Sequence, residues 1–514
     1  MRASQKMVMT LLLIFLASFT LMELIRVEAD EVGIAIAQHW CSERGEGHMD
    51  ALSCLNALNS SRSVISQTLS LFLFLFVIAL TVINMEWRTG AAILALIPLV
   101  VAGVVSPQDL IDAVSWDLIF FLVGSMTLAG ILKELGVFRY LALKVLELSK
   151  GDLYLLLVLI ALMAFSLAAT LDEVTSIIYI TMLVLEICRV VRINPAPLVI
   201  FSVLATNTGS SALPIGNPIG VYLLFETGMK VSQFIRYALP LAVVNLAVVL
   251  AALFLIERST LMNIKRRFDE SKERVEAYIT TRRIEFSADQ RAEERFRRIL
   301  VGLAIFMSFI LTVALNDTIT RHISVAVGTY VDPHAFLSFI PYMYIAISLI
   351  VAVPLKEISR FIERSVEWPS LLFFMFLFMF GYILTYTGVM AKLAYSFTHI
   401  GTSSLILLPL MLLSSALLSS TLDNLSVIVA FTPVAKIFNN VGFAGSMIYF
   451  ALLFGGVFGG NYTPVGSTAN LIAISLTEKR GVRIRWGTWL RMAITTTTLQ
   501  LLAALSWLYI SNMF

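Results

Sequence analysis

Charged residues are scarce in this sequence. Asp, Glu, Lys and Arg make up 14% of its 514 residues, whereas hydrophobic residues make up 58%. An average soluble domain carries about a quarter charged residues, and a soluble core of this size would not hide so much apolar surface. The composition therefore excludes an ordinary soluble globular protein. The formal net charge of +3 provides no basic surface for nucleic acid, and we expect no nucleic-acid partner.

Cysteine and histidine are also scarce, with three and five residues, and their spacing matches no metal site. Cys41 and Cys54 share one short polar segment. They either form a disulfide, if that segment is extracytoplasmic, or remain free thiols. A phosphate-binding loop is absent too, so ATP would require a separate ATPase subunit. We expect no cofactor, only Na+ or H+ as the coupling ion.

Long apolar runs are what the sequence has instead. They recur in blocks of about 20 residues, the length at which a helix crosses a hydrocarbon core roughly 30 Å thick. A β-barrel would show short alternating strands. We therefore predict an all-α polytopic membrane protein with about 11 transmembrane helices. Clear blocks are Leu69–Ile83, Asp117–Leu132, Ala238–Ile256, Ile299–Leu315, Phe336–Val353 and Leu371–Leu384.

The ends and the centre of the chain suggest its orientation. The first run, Met7–Leu24, is long and no small-residue cleavage site follows it, so we predict a retained helix rather than a signal peptide. A charged stretch, Glu257–Arg298, separates two hydrophobic halves. The positive-inside rule places the N-terminus and this stretch in the cytoplasm and the C-terminus outside. That topology requires two re-entrant hairpins, and the lack of sorting signals favours a prokaryotic plasma membrane.

The two halves contain an internal repeat. Trp116–Leu122 aligns with Trp368–Phe374, Thr170–Thr175 with Thr421–Ser426, and Pro214–Gly216 with Pro464–Gly466. Because an odd number of crossings separates the copies, the repeats would be inverted, which is typical of secondary transporters with a substrate site near the midplane.

We predict four regions: residues 1–62 with the first helix and an extracytoplasmic segment, residues 63–256 as the first repeat (hairpin 151–188, broken helix 198–225), residues 257–298 as a cytoplasmic loop, and residues 299–514 as the second repeat (hairpin 403–440, broken helix 446–476).

Acidic residues lie at the two predicted hairpin tips. Asp172 and Glu173 occupy the first tip, and Asp423 and Asn424 the second. A carboxylate at membrane depth costs several kcal/mol unless it faces water, protein or an ion. One interpretation is that these residues only cap the following helices. We predict an additional ion or proton role, for Asp172 and Asp423 ahead of Glu173; Thr175 and Ser426 support the turns.

Two stretches rich in Gly and Pro, Thr206–Pro218 and Gly459–Asn470, are flanked by apolar arms. Gly and Pro at this density break a helix, so we predict unwound mid-membrane helices; a plain structural kink is the alternative. Unwinding frees backbone carbonyls and helix N-termini, and such oxygens suit hard cations such as sodium. The side chains that add neutral oxygens are Asn207, Ser210, Asn217, Asn461, Thr463, Ser467 and Asn470.

These motifs resemble those of the ion transporter superfamily, which contains arsenite permeases, sodium/proton antiporters of the same branch, the melanosomal P-protein and, more distantly, sodium-coupled citrate and dicarboxylate transporters. The resemblance covers nearly the whole chain after the first helix. It rests on Leu171–Thr175, Leu422–Asn424, Asn207–Gly209 with Ile215–Pro218, and Gly459–Asn461 with Val465–Asn470.

The resemblance implies an elevator-type carrier, a homodimer, with a scaffold domain and a mobile transport domain. It implies ion sites where each hairpin tip meets the broken helix of its own half, with Na+ at Asp172, Asn207, Asp423 and Asn461. It adds four residues to the predicted site, namely Thr208, Gly209, Gly216 and Gly466. The chain departs from this pattern at two positions. The first tip has Glu173 where this branch commonly has Asn, and the first broken helix ends in Gly220 where the second has Asn470. The two ion sites are therefore expected to be unequal, or one of them to be a proton site.

The choice of substrate follows from charge. In the dicarboxylate branch the hairpin tips resemble the neutral sequence Ser-Asn-Thr, which an anionic substrate can approach. This chain has Asp172, Glu173 and Asp423 instead, and ionised carboxylates would repel a dicarboxylate. We therefore predict a secondary active transporter, with sodium/proton antiport as the leading function. The alternatives are an arsenite, other metalloid or anion permease, and a sodium-coupled citrate or dicarboxylate carrier.

Two other functional classes fit less well. A channel usually has an axial pore built from several subunits, whereas this chain carries its sites inside one protomer. An intramembrane hydrolase would need a nucleophile and a partner, and Asp172 with Asp423 is the available dyad. Their placement in matching repeats favours two ion sites, so we expect no enzyme activity.

Overall fold

The computed structural model describes residues 3–287 and 292–512, and every regular element within them is helical. The all-α prediction is confirmed. Among the described residues, nine helices are long and apolar enough to cross a membrane: Ser61–Ile83, Trp116–Glu134, Leu153–Thr170, Glu173–Val191, Val231–Leu255, Glu293–Ala314, Pro333–Val351, Trp368–Thr387 and Trp486–Asn512. Four shorter apolar helices accompany them: Leu11–Leu24, Ala196–Ser210, Ser404–Ser419 and Met447–Gly459. The protein is a polytopic membrane protein.

The helices of the first half are α1 (Ala3–Leu24), α2 (Glu31–Glu43), α3 (Ala51–Leu58), α4 (Ser61–Ile83), α5 (Arg88–Val101), α6 (Pro107–Asp112), α7 (Trp116–Glu134), α8 (Val137–Leu148), α9 (Leu153–Thr170), α10 (Glu173–Val191), α11 (Ala196–Ser210), α12 (Pro218–Thr227), α13 (Val231–Gln233) and α14 (Leu239–Ala251). Two π-helical segments, Phe234–Ala238 and Ala252–Ile256, flank α14.

The remaining helices are α15 (Arg258–Asp269), α16 (Lys272–Ser287), α17 (Ala292–Ala314), α18 (Asn316–Val327), α19 (Pro333–Val351), α20 (Ile358–Ser365), α21 (Trp368–Thr387), α22 (Val389–Thr398), α23 (Ser404–Ser419), α24 (Asn424–Asn440), α25 (Met447–Gly459), α26 (Thr468–Glu478) and α27 (Trp486–Asn512). The predicted charged loop is thus largely helical, and its residues 288–291 lie outside the described residues.

The same order of elements occurs in both halves of the chain. A long helix (α7 or α21) ends at a glycine in the left-handed region, and a short helix (α8 or α22) follows. The two glycines are Gly136, with φ of 85°, and Gly388, with φ of 91°; glycine adopts this conformation without the strain of a side chain. A helical hairpin and a broken helix come next in each half. We call α9 and α10 the first hairpin, α11 and α12 the first broken helix, α23 and α24 the second hairpin, and α25 and α26 the second broken helix.

The described contacts divide the chain into two compact units. Unit 1 contains the residues up to Ser115, Trp368–Gly456 and the residues from Leu508 onward. Unit 2 contains Trp116–Glu367 and Val457–Trp507. The second hairpin therefore belongs to unit 1, and the first hairpin and first broken helix belong to unit 2. Inversion of the repeats and re-entry of the hairpins stay predictions.

The polar segment after α1 is cross-linked. Cys41 on α2 and Cys54 on α3 form a disulfide, with their Cα atoms 6.0 Å apart. The sequence allowed either a disulfide or two free thiols, and the structure contains the disulfide. Within unit 1, Trp40 donates a hydrogen bond from Nε1 to the carbonyl of Tyr386 at 3.1 Å, so this segment is anchored to the end of α21. Cys188 is a free, buried thiol.

Candidate functional site

The first hairpin turns at Asp172, which caps α10. Its Oδ1 accepts a hydrogen bond from the backbone N–H of Thr175 at 2.7 Å, so the capping interaction expected at this position is present. Glu173 is only 8% exposed, and its Oε2 accepts a hydrogen bond from Ser210 Oγ at 3.3 Å. The hydrogen bond between this tip and the first broken helix therefore involves Glu173, the acidic residue ranked last from the sequence.

The first broken helix unwinds later than its Gly and Pro content suggests. We expected unwinding from Thr206, but α11 remains helical to Ser210 and the break covers residues 211–217. Thr206 and Thr208 donate their hydroxyl protons to the carbonyls four residues earlier, at 2.9 and 2.6 Å. Because no proline lies between Pro197, in the first turn of α11, and Pro214, the helical hydrogen bonds of this turn are not interrupted,.

Two of the predicted site glycines allow the backbone to pack closely. A Cβ atom on Gly209 would lie 2.2 Å from the carbonyl oxygen of Phe165 in α9, and one on Gly216 would lie 2.6 Å from the carbonyl oxygen of Ser210. Both distances are far below van der Waals contact. These glycines hold the first broken helix against the first hairpin and fold the break onto itself.

Asn217 bridges the first break. Its Nδ2 donates to the carbonyl of Ser210 at 2.8 Å, and its Oδ1 accepts from the backbone N–H of Gly220 at 2.7 Å. The side chain thus ties the end of α11 to the start of α12 and acts as the N-cap of α12. Asn217 is 2% exposed.

The second broken helix has a comparable arrangement. Its break lies between Gly459 and Thr468, and Ser467 caps α26 by accepting from the N–H of Ala469 at 3.2 Å. Asn470 donates from Nδ2 to the carbonyls of Gly460 and Thr463, both at 2.9 Å. The loop between the two half-helices is therefore held by one amide group. Gly466 is buried within it.

Three asparagines from the two broken helices meet in unit 2, and we call Asn207, Asn461 and Asn470 the amide cluster. Asn207 Nδ2 donates to Asn461 Oδ1 at 2.6 Å and to Asn470 Oδ1 at 3.0 Å. All three residues are at most 1% exposed. Asn470 Nδ2 already donates to two backbone carbonyls, which can only accept hydrogen bonds. The Asn470 atom that faces Asn207 is therefore the oxygen, and Asn207 must donate to it from its nitrogen.

This arrangement leaves two polar atoms of the amide cluster unpaired. Asn207 Oδ1 and Asn461 Nδ2 have no hydrogen-bond partner in the part of the chain that the structure describes. A buried polar group without a partner costs roughly 1–3 kcal/mol. An acceptor and a donor left open at the junction of two broken helices are the features expected where a small ligand binds.

The second hairpin tip belongs to unit 1. Asp423 Oδ2 accepts from the N–H and from the Oγ of Ser426, each at 3.3 Å, so this aspartate also caps its helix. Asn424 is 6% exposed, and Ser419 Oγ lies 2.5 Å from its Oδ1 and 2.6 Å from the carbonyl oxygen of Gly456. This tip therefore contacts α25, the first part of the second broken helix.

Two residues on α27 were not predicted. Trp489 donates from Nε1 to the carbonyl of Asn461 at 3.0 Å, and Gln500 donates from Nε2 to Thr208 Oγ1 at 2.7 Å. The sequence signal for Gln500 is an amide in the middle of a long apolar helix, which is costly in a membrane and therefore informative,. Trp489 had no comparable signal.

The sequence of the chain agrees with this architecture. A family model described as "Citrate transporter" matches residues 74–455, which include both hairpins and the first broken helix. The chain belongs to the citrate transporter family. The resemblance to the ion transporter superfamily is thereby confirmed, and the protein is an integral, multi-pass membrane transporter.

Three relatives align over most of the chain. A Mycobacterium tuberculosis protein described as an uncharacterized transporter is 26% identical over 431 residues, 82% of this chain and 92% of the relative. The 46 kDa membrane protein of Mycobacterium leprae is 27% identical over 434 residues, 81% of this chain and 91% of the relative. The human P protein is 27% identical over 471 residues, 79% of this chain and 55% of the relative.

Proposed function

We propose that this transporter exchanges sodium ions for protons. The observation that carries the proposal is the group formed by Glu173, Ser210 and Asn207. Glu173 accepts from Ser210, and Ser210 Oγ lies 3.0 Å from the backbone carbonyl oxygen of Asn207. The open Oδ1 of Asn207 belongs to the same helical turn. A carboxylate, a hydroxyl and amide oxygens are the ligands that a hard monovalent cation prefers.

Charge supports a cationic cargo. Asp172, Glu173 and Asp423 lie at the hairpin tips, and the break segments 206–218 and 459–470 contain no Lys, Arg or His. An anion that approached the first break would meet the carboxylate of Glu173, and the repulsion increases as water is removed.

A carboxylate also provides a simple way to couple the two ions. Glu173 holds either a proton or a sodium ion, and the two compete because the protonated group has lost the charge that attracts sodium. Release of sodium on one side of the membrane and a proton on the other then gives an exchange cycle. The hairpin-tip aspartates contribute negative charge while they cap α10 and α24.

Proteoliposomes provide the test. Purified protein is reconstituted with an internal pH dye, and the pH change after a sodium jump is recorded for the parent, Glu173→Gln, Asp172→Asn and Asp423→Asn. Asparagine caps a helix about as well as aspartate, so the two Asn variants remove charge and keep the helix starts. We expect a sodium-dependent pH change in the parent and its loss in Glu173→Gln.

Glu186→Gln is the matched control because Glu186 lies on the same helix, α10, and accepts a hydrogen bond from Tyr278, which a glutamine side chain can also accept. It should exchange ions at the parental rate. A parent that gives no pH response to sodium, with citrate or arsenite flux present instead, would overturn antiport and leave the transporter class intact.

A sodium-coupled carboxylate carrier is the second candidate. Two observations favour it: the description of the matching family as citrate transporters and the unpaired Nδ2 donor of Asn461, which can bind a carboxylate oxygen. Uptake of labelled citrate by the same proteoliposomes, with and without sodium, distinguishes this carrier from an antiporter. Arsenite uptake is measured in parallel.

A further inference from the structure

A second set of buried polar side chains lies behind the amide cluster. Asn245 on α14 and Thr497 and Gln500 on α27 are all 0% exposed, and we call them the rear cluster. Asn245 Nδ2 donates to the backbone carbonyl of Gln500 at 3.4 Å. Thr497 and Gln500 are three residues apart on α27 and therefore share one face of that helix.

The hydrogen bonds fix how the two amides are oriented. Asn245 faces a backbone carbonyl, which only accepts, so it must present Nδ2. Thr208 donates its single hydroxyl proton to the carbonyl of Leu204 at 2.6 Å, so it accepts from Gln500, which must present Nε2. Both amide oxygens, Asn245 Oδ1 and Gln500 Oε1, then point elsewhere.

Three polar atoms of the rear cluster consequently have no partner within the described residues: Asn245 Oδ1, Gln500 Oε1 and Thr497 Oγ1. One water molecule would complete this set, since a water can donate two protons to the amide oxygens and accept one from the threonine hydroxyl. A polar interior site with two to four partners is the setting in which proteins hold a buried water.

A crevice lies one helical turn from the rear cluster, between α11, α14 and α27. Leu204 on α11, Val249 on α14 and Thr496 on α27 line it, and each lies four residues from Thr208, Asn245 or Gln500 respectively. The crevice is therefore one helical turn away from the rear cluster on all three helices. It is also lined by Ala252 and Leu253, which belong to the π-helical segment, a feature often found at functional sites,.

The far end of the crevice is acidic. Glu257, four residues beyond Leu253, lines it and is 5% exposed. Its carboxylate accepts hydrogen bonds from Arg491 and Thr260. Glu257 also marks the end of the apolar run and the start of the charged loop, so the crevice lies between a polar segment of the chain and the helical turns that carry the rear cluster.

We propose that the seam between α11, α14 and α27 is a hydrated route that carries protons between Glu257 and the amide cluster, with a water molecule held by Asn245, Thr497 and Gln500. The route reaches the amide cluster through the bond from Gln500 to Thr208, the neighbour of Asn207. The route meets the predicted ion-site residues at Thr208 and the amide cluster. Its other members, Glu257 and the rear cluster, are not among the residues predicted for the ion sites.

Cysteine accessibility tests the route without any flux measurement. Cys41 and Cys54 are paired and Cys188 is the free thiol, so Cys188→Ser gives a background without free thiols. Thr496→Cys and Thr497→Cys are introduced singly, and permeabilised membranes are treated with silver ion and with a small cationic methanethiosulfonate. Thiols react as thiolates, which form only where water is present.

Leu499→Cys is the matched control because Leu499 lies on the same helix and is 43% exposed on the apolar exterior. We expect the two seam cysteines to react with silver at least about tenfold faster than Leu499→Cys. Equal or slower reaction at both seam positions would overturn the route. This readout is independent of antiport, so an inactive transporter with reactive seam cysteines would refute the proposed function alone.

A second variant tests whether the route carries protons. Thr496→Leu fills the crevice with an apolar side chain, and it should slow the sodium-induced pH change while leaving sodium binding unchanged. Thr496→Ser, which keeps the hydroxyl, should restore the parental rate. An unaltered pH response in a folded Thr496→Leu variant would contradict the route.

Discussion

Asn207 and Asn461 are 254 positions apart in the sequence, and their side-chain amides are joined by a hydrogen bond of 2.6 Å. The bond connects the two broken helices inside unit 2. Asn207 uses its second amide proton on Asn470, at 3.0 Å, so one side chain supplies both links. The first broken helix is therefore hydrogen-bonded to the second at two points through a single side chain.

The first prediction concerns Asn207→Ala. The substitution leaves the amide oxygens of Asn461 and Asn470 without a donor, and each such buried group costs about 1–3 kcal/mol. We expect the free energy of unfolding to fall by about 2–5 kcal/mol and ion exchange to be lost. Denaturant unfolding in detergent measures the first effect. Asn194→Ala is the control, because Asn194 is exposed and its Oδ1 accepts a hydrogen bond from the N–H of Ala196 at the start of α11, whose loss costs about 1 kcal/mol.

The second prediction uses a pair of glycines in unit 2. Gly209→Ala places a methyl group 2.2 Å from the carbonyl oxygen of Phe165, whereas Gly487→Ala meets nothing within 4 Å. We expect Gly209→Ala to separate α11 from α9 and to lower the yield of folded protein. Gly487→Ala, in a helix, should be neutral or stabilising by up to about 1 kcal/mol. Monodispersity and melting temperature in detergent are the measurements, and a Gly209→Ala protein as stable as Gly487→Ala would contradict the packing argument.

The third prediction concerns the disulfide. Cys41 and Cys54 close a loop of 13 residues, and a loop of that size contributes about 3 kcal/mol in the chain-entropy estimate. The double variant Cys41→Ser/Cys54→Ser should melt at a lower temperature than the parent. Reducing agent should lower the melting temperature of the parent to that of the double variant and leave the double variant unchanged. Cys188→Ser should keep the parental sensitivity to reduction.

The fourth prediction concerns Lys392, a fully buried lysine that donates from Nζ to the carbonyl of Met22 at 2.6 Å. Burial lowers the pKa of Lys392 to about 8 from its ordinary 10.5. At a pH between these two pKa values, Lys392 is protonated in the unfolded chain and neutral in the folded protein. Folding is therefore favoured as the pH rises through this interval, and the gain is complete above the ordinary pKa.

Thermal unfolding at several pH values measures this effect. The stability of the parent relative to Lys392→Met should increase between about pH 8 and pH 10.5. The control is Lys356→Met, at a lysine that is exposed, and its stability relative to the parent should not change over the interval. A constant difference between the parent and Lys392→Met would show that burial does not shift this group.

The sequence predicted the architecture because the signals for membrane helices are local and strong. Blocks of apolar residues and their length follow from the thickness of the bilayer. Asp172 and Asp423 were likewise identified as N-caps from position alone, since a cap depends on the next three residues. The helix breaks were predicted from Gly and Pro, although α11 continues to Ser210 because threonine hydroxyls and an unbroken backbone keep that turn helical.

Other features required the tertiary structure. Glu173, rather than Asp172, meets the first broken helix, and adjacent residues point about 100° apart around a helix, so only the packed orientation of α10 decides between them. The amide cluster joins residues more than 250 positions apart, and the rear cluster combines α14 with α27. Local sequence patterns are enough to predict membrane helices, because burial in lipid requires local helical hydrogen bonding, and the repeated motifs are enough to predict a transporter. The packing of distant helices decides which polar side chains face one another. Hydrogen bonds between helices depend on the rotation of each helix about its axis and on its register along its neighbour, which no local sequence pattern encodes.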